Sequence, residues 1–573
     1  MSHRDGSEAS CRKCNQRSDR VSVDTMKSLR ESLRCEDAVS SARASEVSSV
    51  LVNLEKDIED CSVEIARLQA QIRSQNTKRD FLHHVKQWGQ SILAPVRRLP
   101  NEILHEIFAY CMLDDTFTVA KDFGMSRQPA WVLSSICSKW RKIALSCKPL
   151  WSNICLDFKA SHESSQHAFH ALSRLLDQSY PHTVDVSIIG FSNAHSRLWD
   201  CLALHAHRWK HAEFEDVNGL FQDPMWSTLR LPALESLTLN EYGRDLPLDL
   251  EAFRHAPLLR KADLRGVLPD SLLLFPWCQL THLELNRFKV PVFPALSACT
   301  NLEGLKITVH HAQVLSSPSS VLHSVVPFVE LYKLKTLHIT LFGTSNRARI
   351  HSLADIFKAF ITPSLNSLQL CCQYLSKHFQ GCWPQSSFES FLERSQCSIR
   401  TLVLNQTTFS PSEVQKIFSS LRTVTALTIK DASFVCLTAV SPTISQLSAG
   451  GSLFKTGAVL LPNLQDLIIH SRCRRNLPSS AAAPSSILDD TVLAEMVKSR
   501  WIPDTTYASV FNIRCLRSVS IQYFAPGRIM NNSSRTILES LRADGLKFVV
   551  QVNPNEGEVT SDSETDESSD GLE

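Results

Sequence analysis

Several short stretches of this sequence carry residue types that can do chemistry, and each lacks a partner that its chemistry requires. Cys11 and Cys14 have the spacing of half a zinc site, but a structural zinc takes four ligands and no second Cys or His pair follows at ligand spacing. Lys455 and Thr456 end GGSLFKTG as in a phosphate-cradling loop, yet Ala449 and Phe454 stand where the two glycines must be. His105 and Glu106 begin HEIFA, in which Ala109 replaces the second zinc-binding His. No nucleophile elbow, dinucleotide-binding glycine pattern or kinase motif set occurs. The residues therefore predict a non-enzymatic chain, with no catalytic residue, no metal and no cofactor. Ser561 and Ser563 each have an acid three residues on, as sites for an acid-directed kinase do. Phosphates there would deepen the local negative charge and favour a basic partner.

The composition frames that expectation. The chain has 573 residues, 43% hydrophobic and 21% charged, which suits several domains or one extended array of repeats. No run of about 18 apolar residues occurs, and Met1–Arg20 lacks the apolar core of a secretory signal. A cytoplasmic or nuclear address and no membrane contact are the expectations. The net charge of +2 hides an acidic end: residues 553–573 hold eight Asp or Glu and no Lys or Arg, leaving +10 spread over the rest. No basic block is dense enough to predict nucleic-acid binding. The 18 Cys are scattered, mostly in apolar segments, as small buried hydrophobes of a reducing compartment would be.

Along the chain, residues 1–45 are polar and aperiodic and are expected to be disordered, as is the acidic tail 551–573. Residues 46–90 are expected to form a heptad helix. Val47, Leu51, Leu54, Ile58, Cys61, Ile65, Leu68 and Ile72 alternate spacings of four and three with no Pro or Gly between them. Two outcomes fit this seam: a homodimeric coiled coil through 47–72, or a helix packed on its own domain.

A second pattern follows in residues 91–158. Pro100 stands at or near the first helical position, where its missing N–H costs nothing, and Glu102 favours the positive helix end. Ile103, Leu104, Ile107 and Phe108 then form a broad apolar stripe. After an interruption at 114–130, Val132, Ile136, Trp140, Ile143 and Ala144 share a helix face, and Leu150-Trp151 closes the segment. The pair LPNEILHEIF (99–108) and ICSKWRKIA…LW (136–151) resembles an F-box, with its Leu-Pro-x-Glu-Ile-Leu-x-x-Ile-Phe, its Cys-x-x-Trp element and its closing Leu-Trp. A preceding heptad helix is similar to the arrangement in a large group of mushroom-type fungal F-box proteins. Departures are Ile136 for the usual Val, Ser138-Lys139 for the basic-first pair, and a long inter-helix loop. The resemblance implies a helical module that docks a Skp-type adaptor, and through it a cullin. It assigns adaptor contact to Leu99, Pro100, Ile103, Leu104, Ile107, Phe108, Ile136, Trp140 and Trp151.

From residue 180 to 550 one short unit recurs, apolar-x-x-apolar-x-apolar. LESLTL (234–239), LTHLEL (280–285), LEGLKI (302–307), LKTLHI (334–339), LNSLQL (365–370), IRTLVL (399–404), VTALTI (424–429), LQDLII (464–469) and LRSVSI (516–521) are its clear copies. LRKADL (259–264) is weaker, and HTVDVSI and WKHAEF extend the series upstream. Early copies lie 21 to 25 residues apart, the leucine-rich-repeat period, and later intervals of 25 to 52 hold helical patterns. The expected fold is α/β: a helical N-terminal part followed by an irregular leucine-rich-repeat solenoid of parallel strands and helices, with a compact parallel-sheet domain as the alternative. In such strands the leucines point inward and the residues between them face out. On the early half that outer face would hold Thr238, Asn240, Glu284, Asn286, Lys306 and Thr308. On the later half it would hold His338, Thr340, Gln369, Asn405, Thr428, Lys430 and His470. These are the candidate contacts to an unknown target protein. The functional expectation is a non-catalytic substrate receptor of a Skp–cullin–F-box type ubiquitin ligase. The alternative is a ligase-independent interaction scaffold built from the same parts.

Overall fold

The computed structural model describes residues 23–34, 40–111, 129–158, 166–191, 196–217, 219–221, 223–240, 250–266, 275–286, 293–310, 328–342, 346–373, 383–405, 409, 411–431, 460–472, 490–504, 506, 512–524 and 530–552. The Cys11/Cys14 pair, the Lys455 loop, most of the 114–130 interruption and the tail from 553 lie outside these residues. The chain divides into two units at Leu104/His105.

The first unit is helical: α1 (Val23–Ser32), α2 (Ser41–Leu93), a 3-10 turn at Pro95–Arg98 and the start of α3 (Asn101–Tyr110). The α2 helix runs unbroken for 53 residues and buries none of them. Its first turn is capped by the Ser40 hydroxyl, which accepts from the Arg43 amide, as a residue just outside a helix can. The Arg43 guanidinium donates to the hydroxyls of Ser28 and Ser32 at 2.7 and 2.9 Å, tying α1 to that turn. The expectation of disorder through residue 45 is thus corrected for Val23–Ser32 and from Ser41 on, while residues 1–22 and 35–39 lie outside the described residues: α1 is too short to show a sustained period, and α2 begins five residues before the expected boundary.

The second unit begins with α4 (Pro129–Ile136), α5 (Ser138–Ser146) and a 3-10 turn at Lys148–Trp151. Among the described residues, fourteen strands then build one sheet. They are β1 (Asn153–Asp157), β2 (Val184–Ile189), β3 (Trp209–Glu215), β4 (Ser236–Asn240), β5 (Lys261–Arg265), β6 (His282–Asn286), β7 (Gly304–His310), β9 (Thr336–Phe342), β11 (Ser367–Gln373), β12 (Thr401–Asn405), β13 (Ala426–Asp431), β14 (Asp466–Arg472), β15 (Ser518–Phe524) and β16 (Lys547–Val552). β8 (Val329–Glu330) and β10 (Phe360–Ile361) pair separately. Every strand in the large sheet is parallel to, and hydrogen-bonded with, its sequence neighbours in that sheet. Strict sequence order with parallel pairing requires every connection to return along the same side, which makes the architecture repeat-like.

The register explains the recurring leucines. Leu237, Ala262, Leu283, Leu305, Leu337, Leu368, Leu402, Leu427, Leu467, Val519 and Phe548 pair one to the next across the sheet. All are buried, in one continuous apolar core. Connections fill the other side of that core. Short intervals use 3-10 turns such as Glu251–His255 and Trp277–Gln279, and long ones use helices such as Asn346–Ala359, Gln385–Ser395 and Pro411–Ser420. Phe357 of the first of these helices packs its ring 5.0 Å from Phe388 and 5.4 Å from Phe391 of the second.

Early strands share an exit. Gly190, Asp216 and Gly266, each just past its strand, have φ of 67°, 54° and 71°. Their amides extend the ladder by bonding Glu215, Asn240 and Asn286 carbonyls. The left-handed conformation then turns the chain off the sheet, at little cost for Gly and tolerably for Asp.

The sheet also corrects two expected limits. β1 was grouped with the helical segment 91–158, but it is the first strand of the sheet, and β16 reaches Val552. Trp151 makes the first junction: its indole donates to the Ala144 carbonyl at 2.7 Å and its ring meets Trp131 edge-on at 5.2 Å.

Candidate functional site

Two surfaces hold the residues singled out above. The first belongs to the helices α3 to α5. Leu104, Phe108 and Trp151 are buried, and Phe108 packs against the half-buried Trp140 at 5.0 Å between ring centres. Ile103, Ile107 and Ile136 are instead 48%, 41% and 51% exposed. Pro100 is exposed and Leu99 half-buried. The nine candidate adaptor contacts therefore divide. The apolar stripe of α3 is wider than one face, so Leu104 and Phe108 point inward while Ile103 and Ile107, one turn apart, point outward. Leu104, Phe108 and Trp151 have no surface to offer a partner in this conformation, which corrects their assignment as contacts. In the first unit Pro100 and Ile103 do, with Leu99 half-buried, and in the second unit Ile107 and Ile136 do, with Trp140 half-buried. Cys137 sets the start of α5, its sulfur accepting from the Trp140 amide at 3.4 Å, and the Arg141 guanidinium ties α5 to the Ser134 carbonyl of α4 at 2.9 Å.

The second surface is the sheet face opposite the leucines, where alternate residues line up in rows. One row reads Glu213, Thr238, Asp263, Glu284, Lys306, His338, Gln369, Val403 and Thr428 from β3 to β13. The row beyond it reads Asn240, Arg265, Asn286, Thr308, Thr340, Cys371, Asn405, Lys430 and His470 from β4 to β14. All thirteen candidate target contacts thus lie in two adjacent rows of one face. Asn240 is buried, as are Thr308 and Thr340. Short side chains close-packed at the strand spacing of about 4.8 Å leave little surface, so these three are corrected from contacts to parts of the sheet. Thr238, Glu284, Asn286, Lys306, His338, Gln369, Asn405 and His470 are half-buried and Lys430 is exposed.

A third row was missed by reading only between the leucines. Ser236, Lys261, His282, Gly304, Thr336 and Ser367 precede the first row by two residues and share its face. Gly304 is the sequence signal for it: every neighbour in the row carries a side chain, and LEGLKI does not. A Cβ there would come within 2.8 Å of His282 Cδ2 and 3.1 Å of Thr336 Oγ1. The gap contributes to a shallow hollow of about 280 Å³, walled by Lys261, His282, Glu284, Lys306, Thr336 and His338.

Charged and polar side chains wall the hollow, and several of them are paired. Lys306 contacts Glu284 at 2.5 Å and Arg265 contacts Asp263 at 2.8 Å. Burial, with Lys306 and Lys430 nearby, pushes His338 down to about 4, so its ring is neutral near pH 7. It lies 3.2 Å from Thr340 Oγ1. Toward the start of the sheet the face turns acidic with Asp185, Glu213, Glu215, Asp263 and Glu284. Toward its end the first row turns neutral with Val403, Thr428, Ile468 and Val549, while Lys430 and Lys547 keep positive charge on the same face. Among the described residues, no three His, Cys, Asp or Glu side chains gather to hold a metal ion. Among the described residues, no helix is long and apolar enough to cross a membrane. In comparisons with known proteins, no family model matches the chain and no curated protein matches it significantly.

Proposed function

We propose that this protein is a non-catalytic substrate receptor of a Skp–cullin–F-box type ubiquitin ligase. In this reading α3 to α5 are the F-box and dock a Skp-type adaptor, which brings the cullin. The sheet is a divergent leucine-rich-repeat array whose polar face holds a target protein. Holding the target beside the ubiquitin-carrying enzyme raises transfer through effective concentration, and the receptor itself breaks no bond.

The observation that best supports this reading is the division of the two helical motifs into an inner and an outer set. Phe108 and Trp151 already fill the interior, so Ile107 and Ile136 are not needed there. Large apolar side chains left outside a packed helical module suit an interface. The test is a pull-down of purified Skp-type adaptor by the full chain. Ile103→Ala/Ile107→Ala and, separately, Ile136→Ala are expected to weaken capture by about 2 kcal/mol or more, as exposed apolar anchors of an interface do. Wild-type capture by a folded double variant would refute the reading.

A further inference from the structure

The α2 helix presents most of its heptad seam to solvent, with Val47 and Leu54 half-buried near its start. Leu51, Ile58, Ile65, Leu68 and Ile72 are 53%, 65%, 55%, 44% and 61% exposed, although they share one helix face. A second apolar stripe, Phe81, Val85, Trp88 and Ile92, is equally open. The two are not one seam. From Ile72 to Phe81 is nine residues, about two and a half turns at 3.6 residues per turn, so the second stripe faces the opposite side of the helix. The polar run Arg73–Asp80 separates them. A single straight partner helix can cover one stripe and not both.

The residues of the first stripe specify what covers it. With the four-three spacing, Leu51, Ile58, Ile65 and Ile72 occupy one core position of the heptad, and Leu54, Cys61 and Leu68 the other. β-Branched residues at the first and Leu at the second favour two parallel strands. The flanking charges agree. In a parallel pair the positions beside the seam match Val50 with Glu55, Asp57 with Ser62, and Glu64 with Gln69 of the second copy, with no like charges opposed. An antiparallel pair with the same overlap would set Asp57 against Glu64 twice, and opposed like charges disfavour that orientation.

We infer that residues 47–72 pair with the same residues of a second copy as a parallel, in-register two-stranded coiled coil, and that the 81–92 stripe takes no part in it. The α1 helix is held at Arg43, near the start of the seam, where Val47 and Leu54 are half-buried, and the seam from Ile58 to Ile72 is open. This assembly does not depend on the receptor role. Its consequence for that role, which rests on the reading above, is a bivalent receptor that can hold two sites of one target at raised effective concentration.

The experiment uses the full chain. Light scattering after gel filtration is expected to give twice the 64.3 kDa monomer mass at micromolar concentration. Ile58→Asp/Ile65→Asp is expected to halve it, and Phe81→Asp/Trp88→Asp to leave it doubled. None of the four positions is buried in the single chain, so thermal unfolding of the rest of the chain should be unchanged in both variants, whereas α2 is expected to lose helicity when Ile58→Asp/Ile65→Asp removes its partner. Orientation is read with Gln75→Cys and a short bismaleimide. Parallel strands place the two residues 75 side by side, whereas antiparallel ones separate them by about 45 Å at 1.5 Å per residue. The tryptic peptide of residues 74–78 should then appear linked to itself by mass spectrometry. A monomer, a dimer that survives Ile58→Asp/Ile65→Asp, a dimer lost with Phe81→Asp/Trp88→Asp, or a dimer without the self-linked peptide would each overturn the inference. Adaptor capture by a monomeric chain would leave the receptor reading intact, so the two can fail separately.

Discussion

Leu402 is the sharpest place to perturb the sheet. It is fully buried in β12, between Leu368 of β11 and Leu427 of β13 in register. Replacing it with Ala removes three heavy atoms from a packed column, and large-to-small changes of this kind cost about 2–5 kcal/mol. Taking about 3 kcal/mol, at 1.4 kcal/mol per tenfold, local opening should become more frequent by about two orders of magnitude. In the described sheet β12 bonds only to β11 and β13, so the effect should be graded along it as in nearest-neighbour arrays. Hydrogen exchange read by mass spectrometry resolves this. Amides of Ser367–Gln373, Thr401–Asn405 and Ala426–Asp431 should lose protection most, and those of Asn153–Asp157 and Val184–Ile189 little. Equal loss from β1 to β16, or no loss near β12, would refute the repeat-like account of the core.

Other perturbations test the polar face and its supports. His338 lies well below the ordinary value of 6.5, at about 4, because burial disfavours its charged form. The unfolded chain therefore takes up this proton first. Its stabilisation is complete above about pH 6.5 and lost as pH falls toward 4, by up to about 3 kcal/mol at 1.36 kcal/mol per unit. Denaturation of His338→Gln should show a shallower loss over that window, and an unchanged slope would contradict the assignment. The Lys306–Glu284 pair is 40% and 24% exposed, so Lys306→Ala should change stability by less than about 1 kcal/mol in denaturant titrations. Arg208 is buried and donates to the carbonyls of Leu176 and His182 and to the Ser179 hydroxyl. Arg208→Ala should cost about 3 kcal/mol in the same titration, since several buried acceptors lose their donor.

Much of this fold was legible because a strand repeats every two residues. The middle leucines of LESLTL through LQDLII could be expected in one column from spacing alone, and the face residues followed by alternation. Asn240, Thr308 and Thr340 were misjudged because alternation gives direction, not depth, and depth is set by neighbouring strands far away in sequence. The same limit applied to α3, where the broad stripe of Ile103, Leu104, Ile107 and Phe108 cannot say which half turns inward. Gly304 was visible but ambiguous, since a lone strand glycine fits a bulge, a bend or a gap equally well. Arg208 and Arg500 had no sequence signal. Arg500 is fully buried against the Leu460 and Leu461 carbonyls some forty residues earlier, and such a contact exists only once the chain has returned across the sheet.

The central claim concerns adaptor docking, and reconstitution tests it most directly. Purified full chain, Skp-type adaptor and cullin should co-elute from gel filtration as one complex. Ile107→Asp/Ile136→Asp places charges on two exposed positions, so the variant should keep its circular dichroism spectrum and drop out of the complex. Failure of the wild-type chain to co-elute, or co-elution of the folded variant at wild-type yield, would contradict the account.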